Sequence, residues 1–131
     1  MPDPKESERR EFVRVRLAVP VRYAFMDMGG TRLPPGVSEG SSVNLSGGGL
    51  LLQGKVHDLA WTTDLLTQRI GVALSIQLPG ELAFVQALAR VAWLEAIDPA
   101  SKRCNLGLRF KELAREDQDR IQRFVIRSQM S

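Results

Sequence analysis

The sequence holds one cysteine, Cys104, and one histidine, His57. A single cysteine excludes an intramolecular disulfide framework and fits a reducing compartment. One residue of each kind also excludes a zinc cage built from His and Cys. Aromatic residues make up only 6% of the chain. That is too few both to fill a core and to offer the exposed stacking platforms of a single-stranded nucleic-acid groove, so no DNA or RNA partner is expected. No run approaches the ~18 consecutive apolar residues of a membrane helix. The first eight residues carry Pro2, Pro4 and charged side chains, without the apolar stretch of a secretory signal. These absences point to a cytoplasmic protein away from the membrane. Catalysis is also unsupported. His57 stands near Asp58 and Asp64, but no nucleophile or second histidine accompanies it, and a surface loop explains the trio. The chain is not expected to be an enzyme.

What is present suits one globular domain. The 131 residues are 44% apolar and 25% charged, enough to bury a core. The formal net charge is only +3, yet the basic set is dominated by arginine, with Lys5, Lys55, Lys102 and Lys111 the only lysines. Guanidinium groups suit bidentate recognition of phosphates and guanine edges and stack on flat rings. A solvated surface encoded by arginine-rich codon usage would have the same composition, so placement has to decide.

Residues 1–8 read as a flexible arm, and residues 9–128 as one domain. Along 13–25, Val13, Val15, Leu17, Val19, Val21 and Tyr23 alternate with polar or small residues, which predicts one half-buried strand. Pro20 within it asks for an edge or a bulge. Glycines and prolines mark 28–40 as loop. A short strand at 42–45, a turn at 46–49 and an apolar strand at 50–52 follow. Residues 55–70 have weak periodicity and read as a partly helical insertion. Further strands are predicted at 72–78, 84–94 and 104–110, with Trp93 and Phe110 assigned to the core and Cys104 acting as a small apolar side chain. From Ala114 the period becomes helical, with Leu113, Ile121, Phe124 and Val125 on one stripe. About six short strands and one amphipathic helix suggest an antiparallel β-barrel with the helix packed against it.

Two segments can carry chemistry. In Arg9-Arg10-Glu11-Phe12-Val13-Arg14, Arg10 and Arg14 share a face whether the backbone is helical, ~5–6 Å apart, or extended, ~13 Å apart. Two guanidinium forks could then converge on a ligand with several acceptors, or form a solvated basic face. In Asn44-Leu45-Ser46-Gly47-Gly48-Gly49, short polar side chains precede a glycine turn. Glycine tolerates positive φ and leaves backbone N–H groups open to a ligand. A simple tight connection between strands would look the same. The spacing is neither that of a phosphate-binding Walker loop nor that of a dinucleotide fingerprint.

Together the two segments resemble the paired signature of the PilZ family: Arg-x-x-x-Arg followed by Asp/Asn-x-Ser-x-x-Gly. Here these are Arg10-x-x-x-Arg14, extended by Arg9, and Asn44-x-Ser46-x-x-Gly49. Leu-Pro-Gly at 78–80, Ala89-Arg90-Val91-Ala92-Trp93 and Gly107-Leu108-Arg109-Phe110 before an acid-rich helix are similar to further landmarks of that family. The resemblance spans roughly residues 8–127. It implies a bacterial second-messenger receptor: a six-stranded antiparallel barrel with a C-terminal helix that binds cyclic di-GMP on its outer surface. The N-terminal arm would change conformation over the ligand and signal to a downstream protein partner. By that likeness Arg10 and Arg14 contact guanine edges and phosphates, Asn44, Ser46, Gly48 and Gly49 hold the other side of a guanine, and Arg9 stacks on a base of an intercalated ligand dimer. No other cofactor is implied, and a homodimer is compatible with it. The alternative within the same family is an adaptor that binds protein partners independently of nucleotide. The segments 26–40 and 55–70 look longer than is usual there.

Overall fold

The computed structural model describes residues 14–130, and the side chains of residues 15–129. Seven strands are described: β1 (Arg14–Arg16), β2 (Pro20–Met26), β3 (Ser38–Ser46), β4 (Gly49–Lys55), β5 (Gly71–Ile76), β6 (Val85–Asp98) and β7 (Arg103–Leu113). A 3-10 turn, Leu59–Trp61, leads into the short helix α1 (Thr62–Leu66), and a long helix α2 (Arg115–Met130) follows the last strand. The hydrogen-bonded order is β3-β2-β5-β6-β7-β4, and β4 pairs again with β3. Every pairing is antiparallel. The result is a closed barrel of six strands, with α2 as its C-terminal helix. Closure removes the open edges that a flat sheet of this size would expose.

β1 is not a seventh stave. It lies in line with β2 along the same side of β3, facing residues 44–46 while β2 faces 38–41. The alternation predicts one strand over 13–25, and the structure breaks it. Between the pairs Arg16–Asn44 and Pro20–Ser41, three residues on one side face two on the other. The extra residue is a bulge, which turns Leu17 out to 36% exposure instead of into the core. Ser42, 1% exposed, closes the gap. Its hydroxyl accepts from Val19 N (3.1 Å) and donates to Leu17 O (3.0 Å). β3 itself starts at Ser38, inside the stretch that the glycines marked as loop.

The interior is filled from every stave, with Val21, Phe25, Leu45, Leu52, Leu74, Val91 and Leu106 among the buried residues. Tyr23 is the largest side chain crossing it, and its path explains the glycine at 54. A Cβ at Gly54 would lie 2.7 Å from its hydroxyl, whereas one at Gly40 would meet the Gln53 carbonyl oxygen at 2.6 Å before the Tyr23 ring at 3.0 Å. The hydroxyl accepts from Lys55 N at 2.7 Å, so the buried polar atom is partnered. Burial pushes the Tyr23 phenol above its ordinary pKa.

The two ends of the barrel are closed by different elements. α2 covers one, with Ile121 and Val125 fully buried and Phe124 partly so. Arg120 fastens it to the loop between β5 and β6, donating from Nε to Glu81 (3.2 Å) and from Nη2 to the Ala83 carbonyl, while Nη1 reaches Asp117 at 2.9 Å. The helix begins at Arg115, so Leu113 belongs to β7 and not to the helical stripe. Glu116 and Asp117 in its first turn and Arg127 in its last complement the helix dipole. Segment 56–70 seals the opposite end. Val56, Leu65 and Ile70 are buried, and the Trp61 ring meets Phe25 edge-on at 5.6 Å. Among the described residues no helix is long and apolar enough to cross a membrane.

Candidate functional site

The hairpin of β3 and β4 carries the polar motif. Ser46 pairs with Gly49 across a turn made of Gly47 and Gly48. The Ser46 hydroxyl accepts from Gly48 N (3.2 Å) and donates to Gly49 O (3.3 Å). Both of its hydrogen-bonding roles shape the turn, and the residue is only 6% exposed. Gly49 is glycine for want of space: a Cβ there would overlap the carbonyl oxygen of Leu108 on β7. Positive φ, the reason the sequence suggests for glycine here, belongs instead to Gly30, Gly36 and Gly80 in other loops. Asn44 follows a bulge between Ser42 and Asn44, and its Oδ1 accepts from Leu51 N at 3.2 Å. That leaves the amide nitrogen as the end of Asn44 able to donate to a ligand.

Arg9 and Arg10 lie outside the described residues. The backbone of Arg14 lies within them, and β1 sets Arg14 opposite Ser46 and Arg16 opposite Asn44. Register thus joins the end of the arginine motif to the Asn-Ser-Gly motif, although thirty residues separate them in the chain. Continuing around the wall in the other direction, Gly49 pairs with Arg109, which pairs with Arg90. In the next row Leu51 pairs with Gly107, which pairs with Trp93. Because paired residues share a face, the outer wall carries two rows: Ser46, Gly49, Arg109 and Arg90, then, over five strands, Arg16, Asn44, Leu51, Gly107 and Trp93, with the backbone of Arg14 in register beside Ser46. At ~4.8 Å per strand the band is about 19 Å wide.

Trp93 corrects the sequence reading, which put it in the core. It is 46% exposed, and its indole lies over Gly107, where a Cβ would overlap the ring. Strict alternation gives Trp93 the same facing as buried Val91. A bulge between Val91 and Trp93 adds Ala92 and reverses that facing. Phe110 is only partly buried and packs against the core from its margin. Arg16, Arg90, Arg109 and Trp93 were not singled out as site residues. Their signal is strand register, which a single sequence does not display.

The remaining chemical candidates resolve into structure. Nε2 of His57 lies 2.8 Å from the Ser38 hydroxyl, but Asp58 accepts from Ala60 N as a cap, and among the described residues no carboxylate is hydrogen-bonded to the ring. Burial, then Lys55 and Lys102, hold the imidazole below its ordinary pKa. The Cys104 thiol is buried, and burial pushes its pKa up, the reverse of an activated nucleophile. Among the described residues no group of His, Cys, Asp and Glu could hold a metal ion.

The sequence profile of the PilZ domain matches residues 8–127. The chain belongs to the PilZ family. That membership places it among receptor modules without catalysis of their own. Solved PilZ-containing structures share its fold. The Bacillus subtilis inhibitor of motility, MotI/DgrA, superposes with a TM-score of 0.68 at 23% identity, over 99% of this chain and 57% of that one. The PilZ domain of YcgR from Escherichia coli, with c-di-GMP, gives 0.56 at 14% identity, over 93% and 92%. The K. pneumonia MrkH–c-di-GMP complex gives 0.62 at 18% identity, over 92% and 52%. The chain therefore spans little more than half the length of MotI and MrkH. No curated protein shows significant sequence similarity to it.

Proposed function

We propose that this PilZ domain is a receptor for cyclic di-GMP that binds the messenger on its outer wall, between the arginine motif and the β3–β4 hairpin. Arg10 and Arg14 supply forks for guanine edges and phosphates, and Arg9 stacks on a base. Asn44 donates from its amide, and Gly48 offers the backbone of a turn. Ser46 and Gly49 keep that turn in shape. Arg16 and Arg109 extend the positive band, and Trp93 offers a flat apolar surface. Residues 1–8 act as an arm that changes conformation on binding and passes the signal to a protein partner. Family membership supports this reading, as do the c-di-GMP complexes of YcgR and MrkH. The observation that carries it is the β1–β3 register, which sets Arg14 against Ser46 and Arg16 against Asn44.

The test is calorimetric titration with cyclic di-GMP. The expected result is a Kd near 1 μM or tighter, about 8 kcal/mol, with the stoichiometry read from the same curve. Arg14→Ala and Asn44→Ala should each weaken binding by at least about tenfold, as loss of a charged or buried polar contact does. Absence of both heat and thermal stabilisation at millimolar nucleotide would overturn the proposal. Capture of a protein partner with equal yield from wild type and Arg14→Ala, with or without nucleotide, would favour the nucleotide-independent adaptor.

A further inference from the structure

On α2, Ile121 and Val125 form the buried stripe, 0% and 1% exposed. One turn before Ile121 on that stripe stands Gln118, half-buried, where an apolar residue would simply extend the contact. Placing a primary amide there costs desolvation and rotamer freedom unless it is hydrogen-bonded. It is: Nε2 donates to the Gly47 carbonyl at 3.0 Å. The neighbouring carbonyl, of Gly48, accepts from Phe110 N at 3.0 Å. Both carbonyls of the glycine turn are therefore held inward, one by a strand of the barrel and one by the helix.

We propose that Gln118 is a positioning residue that sets the shape of the glycine turn and ties it to α2. The binding role of that turn rests on the function proposed above. The Phe110 and Ser46 contacts belong to the barrel and persist wherever the helix goes. The Gln118 contact exists only while α2 is docked, and α2 packs against β1 and β3, the strands that carry Arg14, Asn44 and Ser46. A ligand that needs the turn in this shape stabilises the docked helix, and the docked helix raises affinity for the ligand by the same factor.

Three variants of the full chain separate the possibilities. Gln118→Leu continues the apolar stripe and removes the donor, and Gln118→Met does so with an unbranched chain if the leucine variant fails to fold. Gln118→Glu sets a carboxylate against the Gly47 carbonyl at neutral pH and regains an O–H donor when protonated. Without any ligand, amide hydrogen exchange at residues 47–49 should be about fivefold faster in Gln118→Leu, the worth of one ordinary hydrogen bond. Gln118→Glu should exchange faster still at pH 7 and move toward wild type, relative to Gln118→Leu, at pH 5. Unchanged exchange in Gln118→Leu, or no relative recovery of Gln118→Glu at pH 5, would overturn the proposal whatever the nucleotide does. In titration with cyclic di-GMP, Gln118→Leu should bind about fivefold more weakly than wild type. Exchange that responds as expected in a wild-type protein that binds no nucleotide would instead remove the receptor reading and leave the positioning role standing.

Discussion

A methyl group on Gly49 has nowhere to go, because it would overlap the Leu108 carbonyl oxygen on the neighbouring strand. Backbone cannot swing aside as a side chain can, so Gly49→Ala should cost more than about 2 kcal/mol in urea denaturation. In Gly107→Ala the nearest atoms to the added methyl belong to the indole of half-exposed Trp93. That ring can shift, so the expected result is a changed tryptophan emission spectrum with a stability loss smaller than that of Gly49→Ala. His57 gives a third prediction. Its folded-state pKa lies below the ordinary value of 6.5, first through burial and then through Lys55 and Lys102. The unfolded chain therefore takes up the proton first. Stability should be full above pH 6.5 and decline as pH falls below it. Urea midpoints for wild type and His57→Gln at pH 7.5 and 5.5 should show a smaller drop in the variant. Residue chemistry of this kind was half legible. The Asn-Ser-Gly motif stands out by its resemblance to a family signature, and its glycines equally allow a tight strand connection; that Ser46 closes the turn and that Gly49 lacks room for a Cβ depends on neighbours the sequence does not display. Trp93 was misplaced because one inserted residue reverses every facing after it.

Among the elements, the junction between β1 and β2 is held by one hydroxyl. Ser42 Oγ satisfies both Val19 N and Leu17 O in a site 1% exposed. Ser42→Ala leaves two backbone groups without that partner, and Ser42 N to Val19 O remains as the local bond. The expected cost is about 1–3 kcal/mol, with hydrogen exchange rising first in β1, the shortest strand. Alternation located this strand and Pro20 hinted at the irregularity, but Ser42 lies twenty-odd residues away in a segment rich in serine and glycine, and nothing local marks its role. Helix α2 was legible for the opposite reason. Its stripe and its charge order are local properties, and they placed it to within a residue or two. Segment 55–70 reads as a partly helical insertion, and 59–66 is helical, but its role as a plug is recognisable only by what it covers.

At the level of the whole molecule, the count of strands and the final helix suffice to argue for a barrel, because short antiparallel strands seek closure. Which strands meet does not follow from that count. β4 pairs with β7 over a gap of some fifty residues, and that pairing brings Arg109 and Trp93 onto the wall that carries Asn44. The band is basic, with Arg16, Arg90 and Arg109 in its two rows. Affinity for an anionic messenger should therefore fall as salt rises from 0.05 to 0.5 M, by about tenfold if two contacts are ionic. Calorimetry across that series checks it, and a flat response would argue that stacking and neutral hydrogen bonds dominate.

Both mouths of the barrel are stoppered, by α2 at one and by Trp61 and its neighbours at the other, and Tyr23 crosses the space between. Among the described residues the interior is filled by buried side chains, which fits the proposal that recognition takes place on the exterior. A guest there keeps one side open to water unless another stretch of polypeptide lies over it. Residues beneath the guest would then decide what is recognised, and whatever closes over it would decide how long it stays.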